Sequence, residues 1–575
     1  MRFLLLATDY DGTLAADGKV DDATLDALVR LRKSGRKSLL VTGRHMPDLC
    51  NVFPQLNLFD GVIAENGGLL YRPDTREETL LCEAPNERFV ALLKERGVPF
   101  SVGRTIVATW QPNEEAVLCA IRDLGLDLQV IFNKGAVMVL PAGISKGTGL
   151  QAALDVLGIS RHNVVAVGDA ENDLAFMRVS GCSVAVANAL PSVMENADIV
   201  LDKPRGAGVA DLCERLMADD LAQFKSSLQR YSISLGHRVE SRAGVNGEQQ
   251  VLVHSTGESI LVTGPSGSGK STFVSGLLEQ LVQQDFQFCL IDAEGDYAGF
   301  TDAASFGTAR EAPDTKAVFR ALESPRQSVL VDLLGVSVDD RPGFFATMLP
   351  HLQDLRSRTA RPHWLIIDEA HHMLPSSWSM VNNSFAQVLE NTILITVHPD
   401  HVAKTALEAV GIVVAIGTAP MAVLKSFAQA VGVSAPSGHD RELAFGEALV
   451  WFRKTRQAPL HVKVIQSKRE RLRHLRNYAE GELSPDQSFY FRGPESKLNL
   501  RAHNLITFLQ LADGVDDETW MYHLRRGDYS AWFESMIKDQ ELARQAAEIE
   551  QGGFSPQESR QKIREMVESR YTAPA

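Results

Sequence analysis

Asp9-Tyr10-Asp11-Gly12-Thr13-Leu14 follows directly on an apolar run at residues 3–8, and its reading decides the first part of the fold. A strand ending in two carboxylates one residue apart sets both at the mouth of a sheet, where open α/β sheets bind their ligands. Outward from it, apolar runs at residues 38–42, 61–64 and 163–167 alternate with helical stretches at 22–34 and 147–157. Such alternation predicts a parallel sheet wrapped by helices. Three more polar pieces sit at element ends: Thr42-Gly43-Arg44, Lys146, and Gly168-Asp169-Ala170-Glu171-Asn172-Asp173. An insert from about residue 82 to 142 has its own strand-like pieces (100–110, 129–132, 136–140) and a helix at 114–124, so it is expected as a small α/β cap.

These residue types suit attack on a phosphate monoester. The ester is dianionic and repels nucleophiles, so an attacking carboxylate needs a cation beside it. Asp9 is the expected nucleophile, forming an aspartyl-phosphate. The expected Mg2+ ligands are Asp9, Asp11 through its backbone carbonyl, and Asp169, with Asp173 and Asn172 ordering the shell. The Asp11 side chain is placed to protonate the leaving alcohol and then activate water. Thr42 grips the phosphoryl oxygens, and Lys146 supplies a compact positive charge. Solvated loop acids are the plainer explanation for any one piece. Four pieces in this order argue against it.

A second beginning lies at Gly264-Pro265-Ser266-Gly267-Ser268-Gly269-Lys270-Ser271-Thr272, which fits GxxxxGK[ST] between an apolar run at 259–263 and a helical stretch at 273–283. Gly264, Gly267 and Gly269 let backbone amides approach the phosphates of ATP. Lys270 reaches its terminal phosphates, Ser271 ligates Mg2+, and Thr272 continues the helix N-terminus. The apolar strand Trp364-Leu365-Ile366-Ile367 ends in Asp368 and Glu369. Asp368 is expected to hold the metal shell and Glu369 to polarise the attacking water. His398, after another apolar strand, is either a sensor of the γ-phosphate or a structural histidine. Arg356, Arg358 and Arg361 are the nearby candidates for an arginine finger.

The whole is therefore read as α/β: a Rossmann-like phosphatase domain with an α/β cap at 1–224, a connector at 225–257 carrying a hairpin, a P-loop α/β ATPase domain at 258–465, and a mainly helical C-terminal domain at 466–575. The last begins with the basic run Lys468-Arg469-Glu470-Arg471-Leu472-Arg473 and is rich in aromatics and arginines. Its aromatic–arginine surface suits stacking, but a packed core with a solvated rim is the more common use of such residues. The formal net charge of -14 disfavours nucleic acid as a general partner. Six scattered cysteines without a CxxC pair fit free thiols in a reducing compartment. The apolar start is interrupted by Asp9 and Asp11 before it reaches signal-peptide length, and no later run approaches a membrane span. A cytoplasmic protein with no membrane partner is expected.

The first set of motifs resembles the haloacid dehalogenase superfamily, in its Cof-type class IIB branch. Glu65-Asn66-Gly67 and Ala187-Asn188-Ala189 add to the likeness. What it implies is hydrolysis of a small phosphorylated metabolite of the sugar phosphate or phosphoglycolate class, with Arg44, Asn66 and Asn188 as helpers. In the cap, Arg104, Trp110 and Lys134 are candidates for substrate contact. The second set, with Leu290-Ile291-Asp292-Ala293-Glu294-Gly295-Asp296-Tyr297, resembles the HerA/FtsK branch of the P-loop ATPases. This implies a homo-oligomeric ring, usually a hexamer, although His398 stands where these motors often carry glutamine. Two other readings compete with an ATPase-regulated phosphatase: a nucleic-acid motor with an end-trimming phosphatase, and an ATP-switched scaffold.

Overall fold

The structure is a computed structural model. It describes residues 1–133, 135–224, 230–239, 249–254, 257–378, 389–438, 442–455, 457–467, 483, 487–537 and 539–571. Lys134 and the basic run at 468–473 lie outside the described residues.

The first sheet has the order Ile199–Val200, Cys182–Ala185, Val164–Gly168, Leu5–Asp9, Lys37–Val41, Gly61–Ala64, Leu69–Arg72, Glu77–Leu80. Its first six strands are parallel and its last two antiparallel. Leu5–Asp9 is buried throughout, because helices cover both faces of a parallel sheet; that is why it reads as an unbroken apolar run. Pairing of Thr8 with Val167 and of Asp9 with Val41 brings three strand ends to one edge. Asp9, Thr42 and Asp169 leave the sheet there. The helix Lys146–Leu157 starts at a Ser145 cap, whose hydroxyl oxygen accepts from the Thr148 amide, so Lys146 is its first residue.

The insert forms a four-stranded antiparallel sheet in the order Ser101–Val102, Val107–Trp110, Ala136–Pro141, Leu128–Asn133. The helices Glu87–Glu95 and Glu114–Leu124 cover one face through Phe89, Leu93, Val117 and Ala120 against Val107 and Val139. Alternation puts Met138 on the other face, and a Cβ built on Gly43 would meet its sulfur at 3.4 Å. The cap thus rests over the loop that follows Val41. Glu87–Glu95 has no counterpart in the sequence reading.

The second sheet runs Gln250–His254, Ser232–Arg238, Leu460–Val464, Glu447–Phe452, Val410–Ile416, Ser259–Thr263, Thr392–Thr396, Trp364–Ile367, Phe288–Asp292, Ser328–Asp332, Ala303–Phe306. The seven strands from Val410–Ile416 onward are parallel, and the four before them antiparallel. The hairpin expected in the connector is the outer edge of this sheet. Ile233, Leu235, Val251 and Val253 are buried, an apolar face that must be covered, and Gln280 of the helix Lys270–Gln283 bonds both Ser234 backbone groups.

Among the described residues of the carboxy-terminal part, five helices (Leu505–Gly514, Asp517–Arg526, Asp528–Ser535, Gln540–Gln551, Pro556–Tyr571) accompany a two-stranded pair, Phe489–Phe491 with Leu500–Ala502. Phe489, Phe491, Trp520, Tyr529 and Trp532 form its core, so these aromatics hold the fold together. His523 accepts from the Arg492 amide and faces Asp528 at 2.8 Å, a satisfied structural role.

The units built on the first and second sheets meet at a histidine junction. His162 stacks on Phe286 with ring centroids 3.8 Å apart, His363 and Tyr231 meet the pair edge-on, and His162 Nε2 lies 2.7 Å from the Gln284 carbonyl. Burial first, then Arg161, holds His162 down at about 3. Burial also keeps His363 well below its ordinary value, with His162, Arg361, Arg356 and Arg2 adding to it. Neither His162 Nδ1 nor His363 Nε2 has a hydrogen-bond acceptor. The unfolded chain binds these protons near pH 6.5 and the folded chain does not, so the stabilisation is complete above that pH and is lost as pH falls. For His162 the loss at pH 5 is on the order of 2 kcal/mol. Melting curves at pH 7.5 and pH 5 should therefore show a smaller fall in Tm for His162→Phe than for the wild type; equal falls would remove His162 from the effect.

Candidate active sites

At the first site Lys146 Nζ donates to Asp9 Oδ1 at 2.5 Å and to Asp173 Oδ1 at 2.6 Å, all three side chains being buried. The other Asp173 oxygen accepts from the Asp169 and Ala170 amides, both at 2.9 Å. Thr13 Oγ1 donates to Asp169 Oδ1 at 3.0 Å. Asp9, Asp169 and Asp173 each offer an oxygen within 4.8 Å of the others. Burial, then Asp173, push Asp9 up to about 8, against the pull of Lys146. Burial opposes the Lys146 charge too, but Asp173 and then Asp9 outweigh it and hold the ammonium above its ordinary range. Asp9 raised in this way marks a site short of positive charge. Its all-oxygen donor set fits a hard divalent cation such as Mg2+.

Asp11 lies at the rim, where Arg44 grips it through two bonds of 2.7 Å and also holds Asp48. Thr42 is buried and accepts from the Arg44 amide. The structure therefore brings Asp9, Lys146, Asp169 and Asp173 together and sets Asp11 and Thr42 on either side of Arg44. Asn188 bridges Gly12 and Arg205, and Asn172 reaches Asn66 at 3.3 Å, so these are loop braces. Arg104 pairs with Glu78, and Trp110 is exposed. Sequence reasoning missed two anchors. One is Thr13. The other is Glu65, which accepts from the Arg104 and Thr105 amides and the Thr105 hydroxyl, tying the cap to the sheet. Its place in Glu65-Asn66-Gly67 was the available signal.

At the second site the loop after Ser259–Thr263 requires glycine. A Cβ on Gly264 would meet the Ile416 carbonyl at 2.2 Å, and Gly269 has φ +95° at the start of the helix. Gly267 lies between them with φ +74°. Lys270 Nζ donates to the Gly264 and Pro265 carbonyls, and Ser271 Oγ donates to Asp296 at 2.6 Å. Burial lowers Lys270, while Glu369 and Asp368 oppose the fall. One strand, Thr392–Thr396, separates the loop's strand from Trp364–Ile367, which delivers Asp368 and Glu369. Burial and then Asp292 raise Asp368 well above the carboxylate range; burial, with Asp296 and Asp332, takes Asp292 up to about 7 despite its backbone bonds. Asp296, which accepts from Ser271, adds its charge to both Asp368 and Asp292.

His371 was overlooked. Its Nδ1 lies 3.0 Å from Thr396 Oγ1 and 3.3 Å from Glu369 Oε2. Burial and then His372, His398 and His401 hold it down to about 4, so it meets Glu369 as a neutral ring. His398 is at the end of Thr392–Thr396 within this histidine group. Two of the three arginine-finger candidates are already engaged by packing: half-buried Arg356 bonds the Pro362 and Glu390 carbonyls, and buried Arg361 bonds Gln287 and the Leu322, Glu323 and Gly158 carbonyls. Arg358 is exposed and paired with Asp354. Among the described residues no helix is long and apolar enough to cross a membrane.

Residues 6–115 and 124–212 match the family model of haloacid dehalogenase-like hydrolases, and residues 248–397 match that of the AAA ATPase domain. The phosphoglycolate phosphatase of Methanothermobacter thermautotrophicus is 32% identical over 220 residues, covering 37% of this chain and 98% of its own. Phosphoglycolate phosphatase 2 of Saccharolobus solfataricus is 30% identical over 228 residues, covering 38% of this chain and 95% of its own. A haloacid dehalogenase-like hydrolase structure from Bacteroides thetaiotaomicron covers 37% of this chain and 99% of its own, at 20% identity and a TM-score of 0.34. The amino-terminal unit, with its buried lysine–aspartate cluster, makes this chain a member of the haloacid dehalogenase-like hydrolases, a phosphatase that carries an AAA ATPase domain behind it.

Proposed function

We propose that the chain is a Mg2+-dependent phosphomonoester hydrolase acting on a small metabolite of the phosphoglycolate or sugar phosphate class, governed by ATP hydrolysis in its second unit. The observation that carries the reading is the buried set of Asp9, Lys146, Asp169 and Asp173. Asp9, Asp169 and the Asp11 carbonyl would hold Mg2+ there, which would neutralise charge between carboxylate and phosphate. An Asp9 oxygen then bonds phosphorus as the ester P–O bond breaks, and Asp11 gives its proton to the departing alkoxide. Water returns the phosphoryl group: its oxygen bonds phosphorus, its proton goes to Asp11, and the Asp9–phosphorus bond breaks. Lys146 stays charged throughout and Thr42 orients the phosphoryl oxygens. In the second unit, Gly264, Gly267, Gly269, Lys270, Ser271 and Thr272 cradle ATP while Asp368 and Glu369 serve the metal and the water. The resemblance to ring-forming motors supports a homo-oligomer, and the free cysteines support a cytoplasmic setting.

A panel of phosphometabolites assayed with and without ATP tests this. Turnover of one small phosphate ester, changed by ATP, supports it; activity confined to nucleic-acid ends would replace it with an end-trimming motor. Removing divalent metal with a chelator is expected to stop both hydrolyses, and adding Mg2+ back to restore them. Chelator-resistant phosphatase activity would exclude the metal from the first site.

A further inference from the structure

Phe445 is the most exposed large apolar residue among the described residues, at 75%. It does not stand on open surface. A Cβ built on Gly269 would lie 3.5 Å from its ring edge, so the phenyl hangs beside the phosphate-binding loop. Ser268, Gly269 and Thr272 of the loop line one narrow cleft, of about 10 Å³, together with Phe445, Gly446 and Gln466.

The sheet order says which end of a nucleotide would reach this cleft. The loop's strand, Ser259–Thr263, has Thr392–Thr396 and Trp364–Ile367 on one flank, and these deliver Asp368 and Glu369. On its other flank are Val410–Ile416 and then Glu447–Phe452, whose approach carries Phe445 and Gly446. Lys270 feels the charges of Glu369 and Asp368, so the γ-phosphate belongs on the first flank. A triphosphate laid along the loop amides must then direct its nucleoside away from those acids, past Thr272 and toward the second flank. An exposed aromatic face there, with the Gln466 amide beside it, suits a flat heterocycle with hydrogen-bonding edges.

We propose that Phe445 is the platform on which the base of the bound nucleotide stacks, with Gln466 meeting the base edge. The inference rests on the reading of the second unit as a nucleoside triphosphate site, and the experiment separates the two. Calorimetric titration of the full-length protein with Mg2+ compares ATP with inorganic tripolyphosphate, which has the phosphates and no base. Phe445→Ala should weaken ATP about tenfold, the size expected for loss of one stacking partner, and leave tripolyphosphate unchanged. Phe445→Trp should retain ATP affinity, with indole fluorescence that ATP quenches and tripolyphosphate does not. Lys270→Ala should weaken both ligands. If Phe445→Ala binds ATP as the wild type does, the stacking role is wrong while the triphosphate site stands. If the wild type binds neither ligand, the site reading fails and takes the inference with it. Phe445 is exposed, so neither variant removes core packing, and circular dichroism confirms the fold.

Discussion

Asp9→Asn should lose phosphomonoesterase activity by about 10⁴-fold or more, with ATP hydrolysis in the same molecule unchanged. The size follows from what the amide cannot do. It is a poor nucleophile toward phosphorus, so the covalent route closes, and removal of a nucleophile that works as part of a unit costs close to the unit's whole contribution. It also removes one anionic oxygen from the cluster with Asp169 and Asp173. Lys146 keeps its contact with Asp173, which limits the structural damage. The informative measurement is kcat for both reactions on one preparation, with Tm as the check on folding. Phosphatase turnover within tenfold of the wild type would take Asp9 out of the mechanism. A parallel fall in both activities would instead mean that the protein had misfolded.

Glu369→Gln is the counterpart in the second unit. ATP turnover should fall by about 10²- to 10⁴-fold, because the amide cannot take the proton of the attacking water, while nucleotide binding persists. Binding depends on the loop amides and Lys270, which the substitution does not touch. Glu369 sits at the end of a buried strand with φ +42°, a conformation that glutamine adopts as readily as glutamate. His371 presents a neutral ring to it, so loss of the carboxylate charge does not cost an ion pair with that histidine. Single-turnover hydrolysis and equilibrium binding should diverge in this variant and fall together in Lys270→Ala. If ATP also assembles the chain into a ring, Glu369→Gln should accumulate as the large species in light scattering, since its nucleotide stays uncleaved. A variant that hydrolyses ATP at the wild-type rate would assign the water to another group.

Much of this was legible in the chain itself. Strand ends that carry Asp9, Asp169, Asp368 and Glu369 are written as apolar runs broken by acids, because parallel strands covered on both faces tolerate polar residues only where they leave the sheet. The glycines of 264–269 are equally local, being demanded by backbone geometry within a few residues of themselves. The identities of both domains therefore follow from short segments. Contacts between distant segments have no such record. Glu65 reads as one more loop acid until the fold places it under Thr105, and Arg44 as a helper without a stated partner until it is found clamping Asp11. Arg356 and Arg361 stand near the right strand in sequence, yet packing consumes them. The hairpin at 232–254 looked like a connector because its apolar face is short; only the sheet edge at Leu460–Val464 decides where that face is buried. Phe445 carries no local signal at all. Its meaning comes from strand order, which sets it against a loop more than 170 positions earlier in the chain, because sheet neighbours are chosen by the burial of whole faces rather than by proximity in sequence.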